Sequence, residues 1–134
     1  LNLVNKGNFD ELVLDTYYSK ILKMETNGRS GGTTNLYIEN GKNDLKKIIC
    51  DQKKAFFVKE LMGRAGDITN GNYSVGASGI MIENGEFAYP VNEVTIASNL
   101  LDMFKNITPL NDLQFKTSTN SPSLLVESMT VAGK

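Results

Sequence analysis

The sequence predicts an α+β fold, a largely antiparallel, curved sheet or partial barrel with about three short helices packed against it. Three observations lead there. Asn84-Gly85 stands between two β-rich runs, the strongest short hairpin signal in a sequence. Separate short stretches carry apolar residues at helical spacing behind a capping side chain. The 134 residues, 40% of them hydrophobic, suit one ordinary domain with a single core, so residues 1–134 are read as one domain.

The elements follow in order. Asp10-Glu11 reads as a turn into a strand. Asp15 caps a helix over Thr16–Lys23, where Tyr17/Tyr18 and Ile21/Leu22 form one apolar stripe. Asn27-Gly28-Arg29-Ser30-Gly31-Gly32 breaks it. Thr33–Glu39 reads as a strand ended by Asn40-Gly41, and Asn43 or Asp44 starts a second helix, Leu45–Lys53, with Leu45, Ile48 and Ile49 inward. Ala55–Met62 is β-rich, Gly63–Gly71 a loop, and Asn72–Glu83 and Glu86–Ser98 are the arms of the hairpin. Asn99, with Asp102 three residues on, caps a third helix carrying Leu100, Met103, Phe104 and Ile107 on one face, and Pro109 stops it. Asp112–Thr117 and Ser123–Ala132 complete the sheet across a polar connector. The helices around Ile21, Ile48 and Phe104 are each expected to bury their apolar stripe.

Composition removes several function classes. With 14 Lys and Arg against 15 Asp and Glu the net charge is −1, so broad attraction to nucleic acid or an anionic membrane has no support. Apolar runs such as Ala55-Phe56-Phe57-Val58 fall far short of the roughly 18–20 residues needed to span a bilayer. The lone Cys50 cannot form an intramolecular disulfide and fits a reducing compartment. The chain contains no histidine, so it holds neither a Ser-His-Asp nor a Cys-His arrangement, nor the His ligands usual in zinc sites. It also lacks a Ser-x-x-Lys motif. No catalytic residue, no metal ligand and no cofactor is therefore assigned to these residues.

Apparent motifs have plainer readings. Gly28–Gly31, Gly63–Gly66 and Gly76–Gly79 share the G-x-x-G form of RNA-clamping loops, but that loop joins two helices, and Gly76 lies within a strand run. Gly76-Ala77-Ser78-Gly79 lacks the spacing of a nucleophile elbow and reads as a bulged or closely approached strand. Asn72-Tyr73-Ser74 and Asn106-Ile107-Thr108 match glycosylation sequons, which carry no weight without a secretory signal. Glu83 and Glu86 flank a hairpin turn as solvated shoulders, and no acidic cluster has the spacing of a calcium loop.

One long stretch carries a resemblance. Tyr73-Ser74-Val75-Gly76-Ala77-Ser78-Gly79-Ile80-Met81-Ile82-Glu83-Asn84-Gly85-Glu86-Phe87-Ala88-Tyr89-Pro90-Val91 resembles the characteristic segment of the TldD/PmbA family, in its PmbA (TldE) branch. Glu93–Ala97, Asn99–Ile107, Ser121–Leu125 and Met129–Gly133 continue the likeness, as do Asp15–Tyr18 and Asn35–Ile38 upstream. The similarity runs over essentially the whole chain, as the C-terminal domain of a protein about three times longer. An opening Leu1 in place of Met agrees with a piece of a longer chain.

The resemblance implies a cytosolic bacterial two-subunit protease degrading unfolded peptides. In it a TldD-type subunit carries the zinc, and the PmbA-type subunit pairs with that subunit without catalysing. The zinc-bearing type uses two histidines from a helix outside this domain and a late cysteine, where Thr117–Ser123 stand here. The family commonly shows Gly, Asp and Arg at the places of Ala65, Asn72 and Val75, and its Thr-Gly-Asn triplet corresponds to Thr26-Asn27-Gly28. Two alternatives remain open: a self-sufficient peptidase with its catalytic residues in an N-terminal part, and a regulatory protein of the DNA gyrase modulator type. Self-association is the alternative to a TldD-type partner.

The interacting surface is expected on Gly63–Ser78, since a Gly-rich loop entering a strand brings bare backbone close to another chain. Gly71, Tyr73, Ser74 and Gly76 are the candidate contacts with partner or peptide, Tyr73 through its ring and Ser74 through its hydroxyl.

Overall fold

The computed structural model describes residues 1–63 and 66–133; Arg64, Ala65 and Lys134 lie outside them. In chain order the elements are β1 (Val4–Asn5), β2 (Asn8–Phe9), α1 (Thr16–Leu22), β3 (Leu36–Tyr37), α2 (Leu45–Cys50), β4 (Lys54–Met62), β5 (Asn72–Glu83), β6 (Glu86–Asn99), α3 (Leu100–Lys105), β7 (Ile107–Pro109), β8 (Thr119–Asn120), β9 (Leu124–Val126) and β10 (Thr130–Ala132). The predicted class holds: three short helices accompany mostly antiparallel strands, and among the described residues no barrel closes. No helix is long and apolar enough to cross a membrane.

The chain divides into two compact units. The first comprises Leu1–Tyr37 and Phe115–Asn120. Its opening hairpin pairs Val4 with Phe9 around Lys6 and Gly7, both at positive φ, the geometry that tight hairpin turns require. Asp15 caps α1 as expected, its Oδ1 accepting the Tyr18 N–H at 2.7 Å. The loop after α1 is fixed by Asn27, whose Oδ1 accepts the Leu14 N–H at 3.1 Å while its amide nitrogen donates to the Leu12 carbonyl at 2.6 Å. The Thr26 hydroxyl adds a bond to the Leu14 carbonyl. The strand expected over Thr33–Glu39 shrinks to β3, which pairs in parallel with β8.

Asp112–Thr117 is not a strand. The buried Asn120 organises its end instead, accepting the N–H groups of Lys116 and Thr117 and donating to the Thr117 carbonyl. A side chain that offers the backbone both donor and acceptor competes directly with a ladder. Likewise no strand follows Asp10-Glu11, because Leu12 and Leu14 give their backbone groups to Asn27 and Thr26.

The second unit comprises Ile38–Gln114 and the residues from Ser121 onward. Its centre is an antiparallel four-stranded sheet in the order β10-β6-β5-β4. The hairpin turns at Asn84 and Gly85, whose φ values of 52 and 82 are the left-handed pair such a turn needs. Both neighbours of β5 carry extra residues: β4 between Val58 and Glu60, and β6 between Val91 and Val94 and again at Ala88. Bulges on both flanks bend the sheet around its central strand.

Val75 and Ala77 of β5 and Val94 and Ile96 of β6 form the buried cluster, with Phe56, Tyr73, Val91 and Met129 against it. Gly79 shows why the Gly76–Gly79 run needs its second glycine: a Cβ there would strike the Phe57 carbonyl. The closely approached strand expected from the sequence is therefore present. The last stretch forms β9, paired with β7, and β10, on the edge of the main sheet. Leu110, 1% exposed, anchors this side, its N–H on the Ser123 carbonyl and its carbonyl accepting the Gly41 N–H.

The helices correct one expectation. The middle helix half-buries its stripe at Leu45, Ile48 and Ile49, and α3 half-buries Leu100 and Met103, with Ile107 half-buried at the start of β7, so that of this face Phe104 is the exposed member. The exception is α1, where Tyr17 and Ile21 are 65% and 57% exposed, while Phe104 of α3 is 62% exposed. On α1 the buried residue is Ser19. The 3.6-residue period decides which side chains share a face, but what covers that face is a matter of tertiary packing.

Candidate functional site

The segment expected to make contacts starts in a loop that holds itself together. Asp67 accepts the Thr69 N–H at 2.8 Å through one carboxylate oxygen and the Asn70 amide at 2.8 Å through the other. Asn70 Oδ1 accepts the Asn72 N–H at 2.8 Å, and the backbone of Asp67 bonds both Asn72 and Gly71. These hydrogen bonds, with Thr69 first, hold the exposed Asp67 carboxyl below the usual aspartate value. Arg64 and Ala65, at the head of the loop, lie outside the described residues.

The candidate contact residues differ in setting. Gly71 has φ 75, its carbonyl accepts the Leu100 N–H at 2.7 Å, and a Cβ on it would stand 3.0 Å from the Asn99 amide. That amide group caps α3 by accepting the Leu101 N–H at 3.0 Å, so Gly71 belongs to the junction between loop and helix. Tyr73 is half-buried against the Val75–Ile96 cluster, and burial pushes its hydroxyl above the usual tyrosine value. Ser74 alternates to the opposite face and is exposed. Gly76 sits between Met62 and Thr95 in the register of the sheet. Strand alternation thus places Ser74 and Gly76 on one face and Tyr73 on the other.

A second feature was not read from the sequence beyond its role as a helix breaker. Asn27, Gly28, Arg29, Gly31, Gly32, Thr33 and Thr34 line an open cavity of about 450 Å³ within the first unit. Arg29 is the single charged residue on its lining. The signal available in the sequence was one arginine set among glycines and threonines. Among the described residues no group of three or more His, Cys, Asp or Glu side chains comes together as metal ligands would.

Residues 1–133 match the PmbA/TldA metallopeptidase C-terminal domain. The chain belongs to the PmbA/TldD family. Among PmbA proteins it is 38% identical over 133 residues to the metalloprotease PmbA homolog of Buchnera aphidicola, and 33% identical over 134 residues to metalloprotease PmbA of Escherichia coli. It covers 30% of each, with 98% and 99% of its own length aligned, so the chain spans less than a third of these PmbA relatives.

Solved structures of the family agree. A protein described as a modulator of DNA gyrase from Thermotoga maritima superposes with a TM-score of 0.85 at 27% identity, over 97% of this chain and 32% of that one. TldE from Thermococcus kodakarensis superposes with a TM-score of 0.79 at 29% identity, over 98% of this chain and 33% of that one.

Proposed function

We propose that this PmbA/TldE-type chain is the non-catalytic part of a bacterial, cytoplasmic zinc protease assembly, pairing with a TldD-type subunit that holds the metal and cuts unfolded peptides. The observation that carries this reading is the alignment of 98% of the chain with TldE, joined to the lack of a cysteine in Thr117–Ser123, where the zinc-bearing type is expected to place its late ligand. The expected histidine ligands of the zinc-bearing type lie outside this domain, so the late cysteine is the ligand this domain would contribute, and these residues lack it. Gly71, Tyr73, Ser74 and Gly76 are the proposed contacts with partner or peptide, with Ser74 the accessible member.

A second reading has its own support. The curated relatives are named metalloproteases in their own right, and most of each lies outside the matched region, where ligands could reside. A third, regulatory reading rests on the neighbours described as modulators of DNA gyrase.

Zinc analysis and peptidase assays on the full-length protein, alone and mixed with a TldD-type partner, separate the three. The proposal expects no stoichiometric zinc and no turnover alone, with turnover on mixing. Stoichiometric zinc with turnover by the isolated protein establishes the second reading; failure of the mixture to cleave peptides, with an effect on gyrase, establishes the third.

A further inference from the structure

Helix α1 is amphipathic the wrong way round. Its stripe of Tyr17, Tyr18, Ile21 and Leu22 faces outward, with Tyr17 and Tyr18 in edge-to-face contact at 5.2 Å, while Ser19 is turned in and donates its hydroxyl to the Thr16 carbonyl. The same unit also exposes Leu12, Val13 and Phe9, the last at 79%. Against this, Leu14 is the one buried hydrophobic residue among the described residues of the unit. Contiguous apolar surface of this kind marks a contact face. A unit so small with one buried apolar side chain lacks the core that stable folding needs.

We infer that the apolar face of α1 docks against an apolar strand or helix surface supplied by the same polypeptide outside these 134 residues. Two arguments select that occupant. The cover completes a folding core, so it has to be present whenever the unit is folded. A covalently attached segment meets that condition at high effective concentration, whereas a separate subunit depends on its own supply. The PmbA relatives also carry most of their length outside the matched region, so polypeptide for the task exists in them. Tyrosine suits such a seam: the ring is buried and the hydroxyl reaches a polar partner at the rim. The inference goes beyond the proposed function and holds whether or not the chain pairs with a zinc-bearing subunit.

The test uses the full-length protein. Hydroxyl-radical footprinting is expected to modify Tyr17 and Tyr18 several-fold more slowly in the native protein than in the urea-unfolded protein, with the rates independent of protein concentration. Ile21→Lys is expected to lower the melting temperature by several degrees without changing the molecular mass in solution. Ile68→Lys, at a position 94% exposed in the other unit, is the control expected to leave melting unchanged. Native modification of Tyr17 and Tyr18 at the unfolded rate overturns the inference. So does protection that disappears on dilution, or a change of mass in Ile21→Lys, either of which assigns the cover to a second chain. Footprinting of the unaltered protein decides the matter even if Ile21→Lys fails to fold.

Discussion

Asp112 holds Ser123 with both carboxylate oxygens, one accepting its N–H and the other its hydroxyl, each at 2.7 Å. The pair closes the connection between β7 and β9 at the point where Leu110 bonds the Ser123 carbonyl. These hydrogen bonds, the Ser123 hydroxyl first, hold the Asp112 carboxyl below the ordinary aspartate value of 3.8. A depressed carboxylate stabilises the fold above its unfolded value, and that contribution is lost as pH falls through the folded value. Asp112→Ala is expected to cost about 1 kcal/mol at neutral pH, discounted for its exposure. Denaturant melts from pH 7 down through the acid range check it, the difference between variant and parent shrinking as the carboxylate takes up its proton.

Gly79→Ala is expected to destabilise by at least about 2 kcal/mol, because its Cβ meets the Phe57 carbonyl rather than a side chain able to move. Gly31→Ala serves as its partner, since a Cβ at that position would have nothing within 4 Å and the backbone has no positive φ. It is expected to leave stability unchanged or raise it by roughly 0.5 kcal/mol through the unfolded chain. Equilibrium unfolding of the two variants side by side decides whether close approach, and not glycine as such, governs position 79.

Tyr73 titrates above the ordinary value of 10.0 because burial disfavours its phenolate. A group whose folded value is raised contributes stability that is intact below the unfolded value and is lost as pH rises through the folded one. Stability is therefore expected to fall above pH 10, and Tyr73→Phe is expected to remove that part of the decline. Spectrophotometric titration at the phenolate band, with melts on both sides of the transition, reads the effect.

Ser74 and Gly71 are expected to respond differently. Ser74→Glu, on an exposed side chain, is expected to change stability by less than about 0.5 kcal/mol while weakening assembly or peptide turnover. Gly71→Ala is expected to lose about 1 kcal/mol, since an alanine at φ 75 is strained and crowds the Asn99 cap of α3. Normal assembly and turnover by Ser74→Glu would move the interface off this strand.

The sequence by itself determined the local structure wherever a single residue type answers a local need. Asp15, Asp44 and Asn99 cap their helices because a short acceptor side chain reaches the free N–H groups one turn on. Asn84-Gly85 makes its hairpin because those residues accept left-handed backbone. The missing histidines delimit the chemistry of these residues whatever their arrangement in space. Tertiary structure decided the rest. Asn27 and Asn120 took over backbone groups that residue propensities assign to strands, and β5 found its bulged partners on both sides. Which face of α1 meets solvent was equally beyond the sequence: periodicity fixes the angles between side chains on a helix, whereas burial depends on what is packed against it.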